Sequence, residues 1–152
     1  MHFRYRAEID GLRAIAVLSV FVFHLLPRRL TGGAIGVDIF FVVSGYLIGG
    51  NIFRDIDSDS FSFKSFYVKR IKRIFPALFV CIILTLFACS IILFPRESVN
   101  SSWSAIYSVI SVSNIYFYLN TNYFDSFTSH SPFLHTWSLS VEEQFYAVAP
   151  AL

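Results

Sequence analysis

The sequence predicts an all-α, multi-spanning integral membrane helical bundle, and three observations lead to that prediction. Hydrophobic residues make up 55% of the 152 residues, and charged residues only 14%, whereas soluble domains are about 25% charged. Apolar runs approaching the length needed to cross a bilayer recur along the chain. Because lipid offers the backbone no hydrogen-bond partner, such runs are expected to be helical.

Four apolar segments, and the start of a fifth, are predicted as membrane spans. The clearest is the third, at residues 74–94, which carries no charged residue. The first, at 12–26, is slightly short, and the second covers 34–53. The fourth, at 103–119, is rich in serine, so we expect it to pack against protein. The fifth begins at about 141, and the twelve residues from there to the end are too few to cross a bilayer. We therefore expect a longer protein.

The basic residues predict a multi-pass protein of the bacterial inner (cytoplasmic) membrane with its N-terminus in the cytoplasm. Loops rich in lysine and arginine stay on the cytoplasmic side. With that orientation, nine of the twelve basic residues are cytoplasmic, and the other three are Arg28, Arg29 and Arg96. The loop at 120–140 has no lysine or arginine, so its side stays open.

Several other classes of function are excluded by composition and spacing. A net charge of +2 without a basic face gives no support for nucleic-acid binding. Cys81 and Cys89 have neither C-x-x-C spacing nor a nearby histidine, so no metal or redox site is predicted.

Gly45 and Gly49 form a G-x-x-x-G pattern that lets a second helix approach closely. It fits packing within the chain as well as a dimer.

Arg13 and His24 are the ionisable side chains of the first apolar segment. They are eleven positions apart, which places both on one helical face about 16 Å from each other along the axis. Ionisable groups at membrane depth indicate function, and this spacing suits a long ligand with an anionic head, such as a coenzyme A thioester. The alternative is a flanking arginine that reaches the surface and a histidine used in helix packing.

Asp38 lies about one turn into the second span, near the turn that His24 approaches from the first. A helical hairpin would bring the carboxylate and the imidazole to a similar depth, where the carboxylate could orient the ring. The alternative is an interfacial aspartate that pairs with Arg28 or Arg29, or that caps the helix.

Arg70 and Arg73 share one helical face just before the third span, and two guanidinium groups there could clamp phosphate. A basic cytoplasmic flank is the alternative explanation for these two arginines.

Near the fifth helix, Ser140 and Glu143 fit an S-x-x-E capping box. Glu142 has no such structural role and is the better candidate for a catalytic acid or base.

Four segments together, in this order, resemble the acyltransferase family 3 of integral membrane proteins, which includes O-acetylases of bacterial O-antigen and other surface polysaccharides. They are "DGLRAIAVLSVFVFH", "GVDIFFVVSGYLI", "RIKR" and "LHTWSLSVEEQFY". The resemblance extends over nearly the whole chain, which would be the N-terminal part of a membrane acyltransferase domain.

The resemblance implies transfer of an acyl group, commonly acetyl, from acyl-CoA to a hydroxyl of an exported or surface carbohydrate. No permanently bound cofactor is implied. His24 would be catalytic, with Glu142 and Asp38 as further catalytic candidates. Arg13, Arg70 and Arg73 would bind the donor. A non-catalytic transporter or export component, in which the same charges line a pore, and an inactive truncated remnant are the alternatives.

Overall fold

The computed structural model describes residues 6–26, 31–120 and 131–151, and over these residues the chain is all-α, as predicted. Two compact units make up the chain, Met1–Asp57 and Ser58–Leu152. The first unit contains two helices, α1 (Ala7–Leu25) and α2 (Ile35–Asp57), with a short 3₁₀ segment at Thr31–Ala34. The second unit contains α3 (Phe63–Ile92), α4 (Pro95–Val109), α5 (Ser113–Asn120) and α6 (Thr136–Val148), with a 3₁₀ turn at Ala149–Ala151.

Within the described residues, two helical segments are long and apolar enough to cross a membrane, Gly32–Asp57 and Phe63–Ile92. Both expose large apolar side chains; on α3, Phe87 is 67% and Ile91 is 70% exposed. Exposed apolar stripes of this extent suit lipid or further helices. The segment predicted as the first span lies in α1, whose N-terminal half carries Glu8, Asp10 and Arg13.

Helices α1 and α2 form an antiparallel pair that is closest at Gly36. A Cβ on Gly36 would lie 2.4 Å from the carbonyl oxygen of Ala16, so only glycine fits. Toward the other end of the pair, the Arg6 guanidinium donates to the Tyr46 hydroxyl at 3.1 Å. The predicted close approach at Gly45 and Gly49 is not observed, since a Cβ added at either position would meet no neighbouring side chain or helix within 4 Å among the described residues.

The second unit has an apolar core contributed by α3, α4, α5 and the turn before α6. Its buried members are Leu78, Ile82, Ala105, Phe117 and Phe133. Beside this core, buried hydroxyl groups join α4, α5 and α6. Ser108 bonds Thr136 at 2.7 Å, Thr136 bonds Ser113 at 3.0 Å, and Ser113 bonds Ser140 at 2.8 Å. We call this chain of hydroxyl groups the serine seam.

The segment predicted as the fourth span consists of two helices. Pro95 begins α4, where its missing N–H costs nothing. The break between α4 and α5 falls at Ser111, which has a φ of 58°. The serine-rich face of α4 is buried against protein, with Ser101, Ser104 and Ser108 each below 5% exposure.

Two predicted loops lie largely outside the described residues. They are most of the turn at 27–33, and residues 121–130 of the loop at 120–140.

Candidate functional site: a cavity at Arg70 and a histidine on α1

Arg70 lies in the N-terminal third of α3 and packs against α6. The predicted cytoplasmic flank and the third apolar segment form one continuous helix, with Pro76 between Arg70 and most of the apolar part of α3. Its guanidinium carbon lies 4.7 Å from the centre of the Tyr146 ring and 5.5 Å from that of Phe66. A cation held over aromatic rings in this way gains about 0.5–2 kcal/mol, depending on how far it is desolvated.

Tyr146 also contacts the candidate acid or base. Its hydroxyl donates to Oε1 of Glu142, one helical turn earlier on α6. Glu142 is half-buried, and Tyr146 is buried. Arg70, Tyr146 and Glu142 therefore form a row in which one aromatic side chain contacts a cation with its ring and an anion with its hydroxyl. The sequence reading missed Tyr146; its i, i+4 spacing from Glu142 is the signal that could have indicated it.

A cavity of about 300 Å³ opens beside this row, between α3, the α4–α5 turn and α6. Its wall is mostly apolar, and its polar groups come from a few side chains. The lining residues are Tyr67, Arg70, Ile71, Ile74, Phe75, Ile110, Ser111, Val112, Glu143, Gln144, Tyr146 and Ala147. A mainly apolar space with a few placed polar groups is typical of small-molecule sites.

Arg73, the second arginine of the R-x-x-R pattern, is exposed, whereas Arg70 is half-buried. Both lie on α3 three residues apart, so they share a helical face as predicted from their spacing. Arg70 is the member that lines the cavity.

The predicted capping box of Ser140 and Glu143 is wrong, because α6 begins four residues earlier, at Thr136. Ser140 instead accepts a hydrogen bond from the backbone N–H of Ser113 at 3.2 Å, which satisfies a free donor at the start of α5. Glu143 lines the cavity. It therefore has no capping role and joins Glu142 as a carboxylate near Arg70.

Gln144 holds α6 to the turn between α4 and α5. Its amide nitrogen donates to the Ser111 carbonyl at 2.9 Å and to the side-chain oxygen of Asn114 at 3.0 Å. The Asn114 amide donates back to the Gln144 oxygen at 3.1 Å. Both ends of the amide are thus used, which fixes the cavity wall on that side.

His24 lies near the end of α1, on an exposed face of the first unit. Its Nδ1 is 2.8 Å from the carbonyl oxygen of Val20. Because a carbonyl only accepts, Nδ1 carries the proton in this contact, and the neutral ring has its lone pair on Nε2. That tautomer can accept a proton from a substrate. Arg13 is half-buried on the same helix, three turns earlier.

Asp38 does not contact His24 among the described residues. The contacts of Gly36 with Ala16 and Val20 set the register of the two helices. Asp38 is therefore level with about residues 14–18 of α1, roughly 9–15 Å along the helix from His24. The Val20 carbonyl orients the imidazole instead, and Asp38 is exposed.

These features describe an all-α membrane protein with a mainly apolar cavity lined by Arg70 and Glu143, and a histidine whose Nδ1 bonds its own helix. Residues 6–152 match the family model described as "Acyltransferase domain". The chain belongs to the acyltransferase family 3, whose model covers nearly its full length.

Similar proteins are named as O-acetyltransferases. The chain is 45% identical over 152 residues to "Putative peptidoglycan O-acetyltransferase YrhL" of Bacillus subtilis, covering 98% of this chain and 24% of the relative. It is 43% identical over 150 residues to the peptidoglycan O-acetyltransferase OatA of Listeria monocytogenes, covering 97% of this chain and 24% of the relative. The chain thus spans about a quarter of the length of these curated relatives. No solved structure is significantly similar to it.

Proposed function

We propose that this chain is the N-terminal part of a membrane O-acetyltransferase and that it binds the donor and carries catalytic residues. The enzyme would transfer acetyl groups from acetyl-CoA to a cell-wall polymer. The observation that carries the proposal is the cavity at Arg70, where a half-buried guanidinium faces an otherwise mainly apolar space. An acyl-CoA combines phosphates with a long, weakly polar arm, and this arrangement suits both parts. The protein would lie in the cytoplasmic membrane with its N-terminus inside.

The proposed acceptor is peptidoglycan. The sequence reading expected O-antigen or another surface polysaccharide, and the names of the relatives favour peptidoglycan in place of lipopolysaccharide. Peptidoglycan offers sugar hydroxyl groups outside the membrane, so the acetyl group has to cross from a cytoplasmic donor.

Arg70 and Arg73 are the proposed phosphate ligands of the donor. Arginine binds phosphate through several N–H groups in a planar fork. Arg70 is already partly desolvated against Tyr146, which strengthens its interaction with an anion. Arg13 is also proposed to bind the donor.

His24 is the proposed catalytic residue, and two routes are open to it. As a general base, Nε2 takes the proton of the acceptor hydroxyl while the hydroxyl oxygen bonds to the thioester carbonyl and the C–S bond breaks. As a nucleophile, Nε2 first takes the acetyl group from the thioester and then passes it to the hydroxyl. In both routes coenzyme A leaves as thiolate and takes up a proton.

Glu142 and Asp38 are proposed as supporting catalytic residues. Glu142 is available as an acid or base near the donor's phosphates. Asp38 is too far along the helix pair to orient His24, so its proposed role is electrostatic.

The test is His24→Ala in the full-length protein, expressed in a strain that lacks the native gene. Loss of the proposed proton acceptor should reduce alkali-releasable acetate in isolated cell wall to background. Phe21→Leu, at an exposed position of the same helix, is the matched control and should keep wild-type acetylation. Membrane levels of both variants are measured by immunoblot.

Retained acetylation in His24→Ala would remove His24 from the catalytic role. Loss of exported polymer with normal acetylation of what remains would instead support the export component. Isolated membranes supplied with radiolabelled acetyl-CoA test the donor, since the proposal requires label to reach the polymer.

A further inference from the structure

We propose that Tyr146 is a positioning residue for the transfer reaction, fixing the guanidinium of Arg70 at the cavity and the carboxylate of Glu142 beside it. This inference rests on the proposed function and assigns a role to a residue outside the arginine and histidine motifs. Tyr146 touches both groups and lines the same cavity.

The ring of Tyr146 is a platform for Arg70. The side chain is only 7% exposed, and the guanidinium carbon lies 4.7 Å from the ring centre, closer than it lies to Phe66. Arginine side chains are long and lose much rotamer freedom when they are fixed. A rigid ring under the guanidinium lowers that cost and keeps the N–H groups at the cavity before a phosphate arrives.

The hydroxyl of Tyr146 restrains Glu142. It donates to Oε1 of that carboxylate, whereas Arg70 lies over the tyrosine ring. The two interactions of Tyr146 are therefore separable by mutation. Phenylalanine keeps the platform and loses the hydrogen bond, whereas leucine loses both.

The backbone that carries Tyr146 is itself held on two sides. Gln144 bonds the Ser111 carbonyl at 2.9 Å on the α4–α5 side. The Tyr67 hydroxyl donates to the Ala147 carbonyl at 2.8 Å on the α3 side. These contacts fix α6 near Tyr146, so a substitution at that position changes mainly the side chains it contacts, which include Phe145 as well as Arg70 and Glu142.

Steady-state kinetics of the full-length protein in proteoliposomes loaded with soluble peptidoglycan fragments as the acetyl acceptor, with acetyl-CoA as the varied donor and release of free thiol as the signal, separates the roles. For Tyr146→Leu, which loses both interactions, we expect the KM for acetyl-CoA to rise about three- to tenfold, the size of a lost cation–π contact, and kcat to fall as in Tyr146→Phe. For Tyr146→Phe we expect an unchanged KM and a kcat about tenfold lower, because Glu142 loses a charge-assisted hydrogen bond.

Val148→Ala is the control, at a position near the end of α6 that is 54% exposed and does not line the cavity. It should leave both constants within twofold of wild type. Thermal unfolding confirms that each variant is folded. If Tyr146→Leu does not fold, Tyr146→Phe decides alone through its kcat.

Wild-type kinetics in both Tyr146 variants, or a KM that rises in Tyr146→Phe, would overturn the positioning role while leaving the proposed function intact. A wild-type protein with no acetyl-CoA-dependent thiol release would overturn the proposed function and this inference together. A purely structural role would not raise the KM in Tyr146→Leu while lowering only kcat in Tyr146→Phe.

Discussion

At the scale of single residues, His24 is oriented by its own helix. The Val20 carbonyl, 2.8 Å from Nδ1, lies one turn earlier and takes the place that a carboxylate has beside many catalytic histidines. A neutral carbonyl orients the ring and holds the proton on Nδ1 in this contact, which leaves Nε2 for a substrate.

Arg70 should tolerate replacement by lysine poorly, and Arg73 should tolerate it well. Lysine keeps the charge but loses the planar group that stacks on Tyr146. We expect Arg70→Lys to raise the KM for acetyl-CoA about tenfold and Arg73→Lys, at an exposed position, to raise it less than about threefold. Donor-dependent kinetics of the full-length protein measure both. Equal effects at the two positions would contradict a special role of Arg70 in the cavity.

At the scale of helix pairs, Gly36 links packing to His24, the proposed catalytic residue. It contacts Ala16 and Val20, and the Val20 carbonyl holds His24. Gly36→Ala would place a Cβ 2.4 Å from the Ala16 carbonyl oxygen. We expect destabilisation of about 1–3 kcal/mol and a lower kcat with little change in the KM for acetyl-CoA, because α1 has to move away while the Arg70 cavity is unaffected.

Gly45→Ala is the control for that prediction. It lies on the same helix, and among the described residues its new Cβ would meet no neighbouring side chain or helix within 4 Å. Alanine has the higher helix propensity, so the protein should be unchanged or more stable by up to about 1 kcal/mol. Thermal unfolding in detergent measures both variants. A Gly36→Ala protein as stable and active as Gly45→Ala would show that α1 and α2 are not in this register.

The serine seam should contribute measurably to the stability of the second unit. Ser140 is 1% exposed and bonds both the N–H and the hydroxyl of Ser113. Ser140→Ala should cost about 1–2 kcal/mol, because it leaves a buried donor at the start of α5 without its acceptor. Ser138→Ala, two residues earlier, removes only a local bond to His135 and should stay within about 0.5 kcal/mol. Equal melting temperatures for the two variants would contradict the role of the seam.

Sequence reasoning predicted the helical class and the residue types of the site but not how the helices meet. The apolar runs predict helices because, in lipid, a helix satisfies the hydrogen bonds of the backbone within one segment. Nothing in the sequence sets the register of α1 on α2, so Asp38 was expected beside His24. Ser140 looked like a helix cap because the S-x-x-E pattern does not reveal burial. Tyr146 does not stand out in a chain that is 18% aromatic.

At the scale of the whole molecule, the exposed apolar surface requires a cover. Ile83 and Leu84 in the middle of α3 are each 63% exposed, and such a surface is stable only against lipid or further helices. The curated relatives are about four times as long as this chain, so a full-length protein has enough sequence to supply more spans. The distribution of lysine and arginine then decides which ends of these helices face the cytoplasm.

The proposed orientation can be tested with single cysteines in the full-length protein, after Cys81→Ser and Cys89→Ser remove the two thiols of this segment. Asp59→Cys lies in the exposed connector between α2 and α3, and Arg96→Cys lies in the exposed first turn of α4. Because the end of α2 and the first third of α3, on either side of this connector, are rich in lysine and arginine, we expect a membrane-impermeant maleimide to label Asp59→Cys only after the cells are permeabilised. Arg96→Cys, at the opposite end of α3, should be labelled in intact cells.

Labelling of both variants in intact cells would show that α3 does not cross the membrane. The reverse pattern would place the Arg70 cavity on the outer side, away from cytoplasmic acetyl-CoA, and would contradict the proposed donor.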